Sequence, residues 1–330
     1  MIEKSSGGWR FILNLKRLNK YVLAPHFKLE DWKTVIRLFS PGDFLASLDL
    51  QDAYLLIPVH PEDRKYLRFR FGGQLFQFTA LPFGLASAPY IFTKILKPVL
   101  HSLKEKGFLS VVYLDDFLLI ARTYEQCTRN VSATVNLLYS LGFVINNQKS
   151  VLSPGKSCRF LGFIFDTREF TISIPPDKRD KLLRMTRDIL DRKSCKIRLF
   201  ASVIGSLISV CPAVKYGMLH TKILEREKFL ALLSANSNFE RQMLLLNTIR
   251  DDLLWWETVF ADRSQRNVIS LGHWELEIFT DASLTGWGAV CGNIQTHGFW
   301  SSVERQNHKL FGTASYFSRL TMFRLTFTGM

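Results

Sequence analysis

Two adjacent aspartates stand in the middle of an apolar stretch of this 330-residue chain. Asp115 and Asp116 follow Tyr113 and Leu114, and apolar residues flank them on both sides over residues 108–120. Burying either carboxylate without a partner would be very costly in free energy. The pattern therefore predicts two strands joined by a hairpin that carries the aspartates at its tip.

A second strand that ends on a carboxylate lies upstream. The sequence predicts a strand over residues 44–50, after the turn signal of Pro41 and Gly42, and Asp49 stands near its end. If Asp49 and Asp115 meet, each pair of charges at ~4 Å repels by roughly 4 kcal/mol at an effective dielectric constant of ~20. Such a cluster normally binds cations, and an all-oxygen set suits Mg²⁺ or Mn²⁺. Two such ions can act together in a phosphoryl displacement.

A lone pair of aspartates is more often an ordinary surface turn, so the surrounding motifs decide between the two interpretations. They occur in a fixed order along the chain. They are Trp9-Arg10, Asn14, residues 16–19, Leu48-Asp49 with Ala53-Tyr54, residues 81–85 with Ala88-Pro89, residues 113–116, residues 141–143 with Lys149, and residues 160–163.

In this order the motifs resemble those of reverse transcriptases of retrotransposons, over roughly residues 4–165. The resemblance implies an α+β fold, the right-hand polymerase with fingers, palm and thumb, followed by a partial ribonuclease H-like α/β domain. Residues 195–201, Ile204-Gly205, residues 211–213 and residues 279–283 are most similar to tyrosine-recombinase (DIRS-type) elements, with gypsy-like elements as the other comparison.

The resemblance implies roles for individual residues. Asp49, Asp115 and Asp116 would be catalytic, and with the backbone carbonyl of Leu50 they would hold two Mg²⁺ or Mn²⁺ ions. The residues implied in binding the deoxynucleoside triphosphate are Lys4, Arg10, Asp52, Ala53, Tyr54, Phe83, Gly84 and Lys149. Phe160, Leu161 and Gly162 would form the primer grip.

Several of these assignments have a simpler alternative. Tyr54 is either a steric gate against the 2′-hydroxyl group of ribonucleotides or a core aromatic residue. Arg10 and Lys149 are either ligands of the triphosphate or solvated surface charges. The basic face of Lys178, Lys181 and Arg184 either follows the phosphates of a duplex or is a solvated helix face.

Periodicity divides the chain into three regions. Alternating strands and helices over residues 1–165 predict the fingers and palm; the expected helices are 31–38, 88–106 and 124–141, and residues 66–71 and 74–78 form a hairpin around Gly72-Gly73. Helical patterns from Pro176, over 197–218 and over 239–260 predict a thumb and connection at 166–265. A strand over 275–281 opens a partial ribonuclease H-like domain at 266–330.

Charge and cysteine content indicate the partners and the compartment. Forty-three Lys and Arg against 29 Asp and Glu give a net charge of +14, which favours a polyanionic partner such as an RNA or DNA template with its primer. Five scattered cysteines without zinc-ligand spacing favour reduced thiols in an intracellular protein, in the cytoplasm or the nucleus. The longest uncharged stretch, 199–214, is too short for a membrane span and is expected to be a buried helix.

The C-terminal region departs from the family pattern. Asp281 fits the first carboxylate of a ribonuclease H site and is interpreted as a remnant of one. The position of a later family acid is Thr313, and neither Asp nor Glu follows Glu304. We therefore expect that ribonuclease H activity is lost and that the domain is truncated.

These observations predict an RNA-directed DNA polymerase of a transposable element, a nucleotidyltransferase that extends a primer 3′-hydroxyl by two-metal catalysis. Two alternatives remain. One is an RNA-dependent RNA polymerase, and the other is a non-catalytic nucleic-acid-binding relic of a transposon.

Overall fold

The computed structural model of the chain describes residues 2–3, 9–269, 278–283 and 285–300. The chain divides into two compact units between Thr171 and Ile172. The elements of the first unit are, in chain order, β1 (Ile2–Glu3), β2 (Trp9–Arg10), α1 (Trp32–Leu38), β3 (Phe44–Asp49), β4 (Arg68–Phe71), β5 (Gln74–Gln77), α2 (Ala88–Glu105), β6 (Leu109–Tyr113), β7 (Asp116–Ala121), α3 (Tyr124–Ser140), β8 (Val151–Gly155), β9 (Ser157–Phe160) and β10 (Phe163–Asp166).

An antiparallel sheet with the strand order β6-β7-β3-β8 forms the centre of the first unit. Its strand β7 is buried on both faces, because Phe117, Leu118, Leu119 and Ile120 are all at most 1 % exposed. Helices α2 and α3 share one hydrophobic core with the sheet. Phe92 and Leu96 of α2 belong to this core, together with side chains of α3 that recur at helical spacing. A continuous apolar run therefore becomes a central strand, as the sequence indicates.

The hairpin β4–β5 begins later than its alternating sequence predicts. Gly72 and Gly73 form the turn with φ of 55° and 78°, as expected for a two-residue loop. Tyr66 and Leu67, however, belong to a 3₁₀ helix, Pro61–Leu67, so the prediction of a strand from residue 66 was wrong. Pro61 has a preset φ that suits a helix start, and burial of Leu67 holds the helix end against the core.

The second unit is mainly helical before a small sheet. Its elements are β11 (Thr171–Ser173, across the boundary), α4 (Pro176–Leu190), β12 (Ser194–Lys196), α5 (Ile197–Ile208), α6 (Lys222–Ser234), β13 (Gln242–Leu244), α7 (Arg250–Ala261), β14 (Asn267–Val268), β15 (Ile278–Ala282), β16 (Gly286–Cys291) and β17 (Ile294–Phe299). Among the helices of the described residues, none combines the length and the apolar character that a bilayer crossing requires.

Helix α4 starts at Pro176 as predicted, but two other helix predictions in this unit were wrong. The helix expected over 197–218 ends at Ile208, because Pro212 lacks an amide hydrogen and lies in a 3₁₀ turn, Cys211–Ala213. The helix expected over 239–260 begins only at Arg250; the residues before it include β13, which pairs with β12. The helix α6 was not predicted.

Strands β15, β16 and β17 form an antiparallel meander. The strand predicted over 275–281 is present from Ile278, and residues 275–277 lie outside the described residues. Glu304 and Thr313, which the sequence comparison singled out, also lie outside them.

Candidate active site

The tip of the β6–β7 hairpin is a two-residue turn. Tyr113 and Asp116 are directly paired across the hairpin, so Leu114 and Asp115 form the turn between them. Leu114 has a φ of 55°, a left-handed conformation that costs a non-glycine residue about 1 kcal/mol or more. The strained turn places Asp115 at the tip and makes Asp116 the first residue of β7.

Strand β3 brings the third carboxylate to the same place. Asp49 is the last residue of β3, and it pairs with Asp116 of β7. The amide of Leu50 donates a hydrogen bond to the carbonyl oxygen of Asp115 at 3.0 Å, which connects β3 to the hairpin tip. The amide of Asp49 itself donates to Ser150 Oγ at 3.0 Å. The sheet therefore fixes all three aspartates at one of its ends.

Burial and the neighbouring carboxylates both disfavour the ionised form of Asp116. Burial, followed by the charges of Asp115 and Asp49 and a hydrogen bond with Asp49, raises the pKa of Asp116 to about 7. Lys149 opposes the rise, and its Nζ lies 3.8 Å from Asp49 Oδ1. A cation bound beside Asp116 would favour its ionised form and would therefore compete with its proton.

The donor set fits a hard divalent cation. Asp49 and Asp115 offer carboxylate oxygens, and the backbone of Leu50 joins β3 to the tip beside them. Among the residues that the structure describes, no three His, Cys, Asp or Glu side chains are grouped as a ready metal cage.

Two cavities of the first unit meet at these aspartates. One, of about 630 Å³, is lined by Asp49, Asp115, Asp116, Lys149 and residues 159–162, among others. The other, of about 590 Å³, also contains Asp49, Asp115 and Lys149 in its lining. Its further lining residues include Leu50, Gln51, Asp52, Phe83 and residues 144–148. Asp49 and Asp115 are thus accessible from two sides, and Asp116 from one.

The predicted primer grip is the turn of the β9–β10 hairpin. Phe160 pairs with Phe163, and the central residues Leu161 and Gly162 have φ of 49° and 74°. The Phe160 side chain is buried, while Leu161 and Gly162 lie at the wall of the 630 Å³ cavity. Sequence reasoning missed Arg159 in the same wall; the alternation of buried Cys158 and Phe160 around it is the signal that could have identified it.

The segment after β3 turns sharply. Asp52 has a φ of 48° and precedes a 3₁₀ helix, Ala53–Leu56. Asp52 lines the 590 Å³ cavity, whereas Ala53 is buried. A left-handed aspartate at a cavity wall is typical of strained backbone at functional sites.

Tyr54 is only 9 % exposed and lies among aromatic side chains. Its ring centroid is 5.3 Å from that of Phe83 and 5.2 Å from that of Phe92. Burial, and then the charge of Asp115 and the neighbouring Tyr113, raise the pKa of Tyr54 to about 12. Tyr54 therefore packs against Phe83, which lines the 590 Å³ cavity. Tyr54 itself belongs to the hydrophobic core.

The loop of Phe83 and Gly84 is held by a residue that sequence reasoning did not assign to the site. Asn19 Nδ2 donates to the carbonyl oxygen of Gly84 at 2.8 Å, and the amide of Ala86 donates to Asn19 Oδ1 at 2.9 Å. Gly84 has a φ of 96°, and a Cβ atom there would lie 2.7 Å from the carbonyl oxygen of Leu13. Only glycine fits this position without strain.

Two predicted residues have no described side chain, and a third belongs to the second unit. Lys4 is outside the described residues, and Arg10 is the second residue of β2, with no description of its side chain. Asp281 lies on β15 in the second unit, exposed, and pairs in register with Gly288. The structure thus brings together Asp49, Asp115, Asp116, Lys149 and the primer-grip turn, with Asp52 and Phe83 in the adjoining cavity.

Comparison with solved structures shows the class of fold. The foamy viral protease–reverse transcriptase dRH in complex with double-stranded DNA matches 92 % of this chain and 51 % of its own, with a TM-score of 0.67 and 17 % identity. The same viral protein in complex with an RNA/DNA hybrid matches with a TM-score of 0.66 and 17 % identity, over 97 % of this chain and 42 % of its own. The α+β class and the polymerase fold are confirmed.

Comparison of sequences identifies the protein family to which residues 2–165 belong. Residues 2–165 match the family described as reverse transcriptase (RNA-dependent DNA polymerase), so the chain contains a reverse transcriptase domain. The genome polyprotein of Petunia vein clearing virus is 27 % identical over 173 residues, 51 % of this chain and 8 % of the polyprotein. The transposon Tf2-3 polyprotein of Schizosaccharomyces pombe is 26 % identical over 170 residues, 52 % of this chain and 12 % of the polyprotein.

The chain therefore spans about a tenth of the length of these curated relatives. The finer placement near DIRS-type or gypsy-like elements stays a prediction.

The raised pKa of Asp116 predicts that metal binding depends on pH. A carboxyl group with a raised folded-state pKa stabilises the fold below its unfolded pKa and loses that contribution as pH rises through the folded value. In EDTA, wild-type protein should therefore lose stability relative to Asp116→Asn between about pH 4 and pH 7, with a slope of at most about 1.4 kcal/mol per pH unit. Thermal denaturation of both proteins across this range measures the difference.

Mg²⁺ should reverse this loss. Because the cation competes with the proton, added Mg²⁺ should raise the melting temperature of the wild type more at pH 8 than at pH 5. Asp49→Asn, which removes one of the carboxylates expected to bind the cation, should show a smaller shift at pH 8. Equal shifts at both pH values would contradict the coupling.

Proposed function

We propose that this protein is an RNA-directed DNA polymerase of a transposable element, which transfers deoxynucleotides to a primer 3′-hydroxyl. The observation that carries the proposal is the meeting of Asp49, Asp115 and Asp116 between two cavities, within a domain of the reverse transcriptase family. The chain would act as a nucleotidyltransferase. Its template would be RNA or DNA, and its substrates would be deoxynucleoside triphosphates.

Two divalent metal ions, Mg²⁺ or Mn²⁺, would supply charge stabilisation and an activated oxygen nucleophile at this site. Asp49 and Asp115, with the carbonyl group of Leu50, would hold them, and Asp116 would support the cluster. Lys149 lies against Asp49, where its ammonium group could give a proton to the leaving pyrophosphate.

The remaining assignments concern substrates. The 590 Å³ cavity contains Asp52 and Phe83, so we assign it to the incoming nucleotide, with the amides of Asp52 and Ala53 directed to its phosphates and Phe83-Gly84 against its base. The positively charged side chains of Arg10 and Lys4 would bind the triphosphate of this nucleotide. The 630 Å³ cavity, with Phe160, Leu161 and Gly162 at its wall, would receive the primer end.

A polyanionic partner agrees with the charge of the chain. The net charge of +14 favours association with nucleic acid, and the solved structures of the foamy viral protein contain double-stranded DNA or an RNA/DNA hybrid. We propose a primer–template duplex as the partner of the first unit, and residues 176–190 as a thumb helix whose Lys178, Lys181 and Arg184 follow its phosphates.

We assign residues 1–165 to the fingers and palm, 166–265 to the thumb and connection, and 266–330 to a partial ribonuclease H-like domain. The five cysteines are free and buried, which suits a reducing compartment such as the cytoplasm or nucleus.

Primer extension tests the main proposal. Wild-type protein should extend oligo(dT) on poly(rA) with dTTP and Mg²⁺ or Mn²⁺, and Asp115→Asn should reduce extension by orders of magnitude with little change in duplex affinity, because it removes a metal ligand. Asp188→Asn, the same substitution at an exposed carboxylate paired with Arg192, is the matched control and should retain activity.

The result of primer extension also distinguishes the proposed DNA polymerase from the two alternatives, an RNA-dependent RNA polymerase and a non-catalytic relic. Preferred incorporation of UTP over dTTP would indicate an RNA-dependent RNA polymerase. Duplex binding without any extension in either metal would indicate a non-catalytic relic and would overturn the proposal.

The role of Tyr54 as a steric gate can be measured by sugar selectivity. Tyr54→Ala should raise the ratio of rUTP to dTTP incorporation by about tenfold or more, because a ring that excludes the 2′-hydroxyl group is removed. Tyr54→Phe keeps the ring between Phe83 and Phe92 and is the control. If the two variants differ in thermal stability but not in selectivity, Tyr54 is only a core residue.

We also propose that ribonuclease H activity is absent. Such sites need several carboxylates around two metal ions, and residues 278–300 supply only Asp281 in the part of the chain that the structure describes.

A labelled RNA/DNA hybrid incubated with protein and Mn²⁺ should therefore stay uncut. The polymerase-deficient Asp115→Asn protein serves as a control for contaminating activity. Cleavage by wild type that disappears in Asp281→Asn would show instead that further carboxylates complete the site.

A further inference from the structure

Strand β6 leads directly into the turn that carries Asp115, and it is the outer strand of its sheet. An outer strand has backbone groups on one side that no neighbouring strand can satisfy. On that strand the amide of Val112 donates a hydrogen bond to Glu30 Oε2 at 2.5 Å. Val112 immediately precedes Tyr113, the residue that closes the hairpin against Asp116.

The segment that carries Glu30 is itself held in place. Asp31, the next residue, begins helix α1 by accepting hydrogen bonds from the amides of Lys33 and Thr34 at 3.0 and 3.2 Å. A few residues earlier, the ring of Phe27 packs edge-on against Tyr90 of α2, with centroids 5.5 Å apart. Glu30 is therefore a fixed point and not the end of a freely moving loop.

The environment of Glu30 is not that of an ordinary surface acid. Its side chain is partly buried, and this burial raises its pKa, while the Val112 amide and Lys104 oppose the rise. A carboxylate that loses hydration must regain it through hydrogen bonds or ion pairs. Glu30 obtains part of this compensation from the Val112 amide, in the strand that carries the catalytic turn.

The tip of the hairpin is thus held from two sides. On the inner side, the amide of Leu50 on the β3 side donates to the Asp115 carbonyl oxygen. On the outer side, Glu30 holds Val112, three residues before Asp115. Catalytic groups must be kept within about 0.5 Å of the productive geometry, and both contacts restrict the motion of Asp115 relative to Asp49.

We infer that Glu30 is a positioning residue of the active site, which fixes β6 at Val112 and thereby sets the location of Asp115 relative to Asp49. This inference rests on the proposed polymerase function, because Glu30 would support the active site of that polymerase. Glu30 itself lies in the lining of neither cavity.

The test compares Glu30→Ala with Glu30→Gln and with Glu225→Ala. Glu225→Ala is the matched control, because it removes a partly buried glutamate that accepts a hydrogen bond from Lys222 at 2.9 Å, in the second unit and without touching β6 or the segment that carries Glu30. Both alanine variants should melt at lower temperature than wild type. Only Glu30→Ala should lower kcat of primer extension, by about ten- to a hundredfold, with KM for dTTP little changed. Glu30→Gln keeps an acceptor oxygen and should recover most of the loss.

Hydrogen exchange gives a readout that does not need activity. Peptides that cover residues 109–121 should exchange faster in Glu30→Ala than in wild type, and at the wild-type rate in Glu225→Ala. Equal effects of the two alanine variants on kcat, or unchanged exchange in Glu30→Ala, would overturn the positioning role. Absence of extension by wild type would overturn the proposed function itself, and the exchange data would still show whether Glu30 holds the hairpin.

Discussion

Pairing of β3 with β7 is the interaction on which the site depends. It places Asp49 opposite Asp116, and the Leu50–Asp115 backbone bond continues the connection to the hairpin tip. Without the backbone hydrogen bonds of the sheet, three carboxylates would move apart, since each pair repels by several kcal/mol at contact distance. Complete burial of Phe117 to Ile120 in β7 provides apolar stabilisation of the same strands. The core thus holds together a cluster that its own charge would separate.

The same region contains strained backbone. Asp52, Leu114 and Leu161 are non-glycine residues with positive φ, and each lies in or beside the wall of one of the two cavities. A left-handed conformation costs such residues about 1–3 kcal/mol and persists where the surrounding structure imposes it. In each case the turn follows or joins strands of a well-packed hairpin or sheet. Strain at these turns therefore directs short backbone segments towards the cavities and is supported by the strands behind them.

The sequence is most informative where one local pattern decides the structure. The convergence of Asp49 with the hairpin tip that carries Asp115 was predictable, because apolar residues identify the strands on both sides of that tip, and Gly72-Gly73 was identified as a turn for similar reasons. The second unit was less predictable, because the apolar period that starts at Ile197 continues past Pro212, where the helix cannot. Asn19 and Glu30 were not assigned to the site at all. Their partners, Gly84 and Val112, are 65 and 82 residues away, and no local pattern reveals such contacts.

The charge of the cavity lining favours cations although the chain as a whole is strongly basic. The described lining of the two cavities contains four carboxylates, Asp49, Asp52, Asp115 and Asp116, and two cations, Lys149 and Arg159. The net charge of +14 attracts a polyanion over distances up to the Debye length, about 8 Å at physiological ionic strength, beyond which salt screens it. Within the cavities the sign of the field is reversed, so a phosphate group that arrives there meets repulsion. Protonation of Asp116 removes part of the negative charge, and divalent cations would remove more of it and add positive charge that faces the phosphates. Binding of metal and binding of nucleotide should therefore strengthen each other, and this coupling follows from the charges of the cavity lining alone.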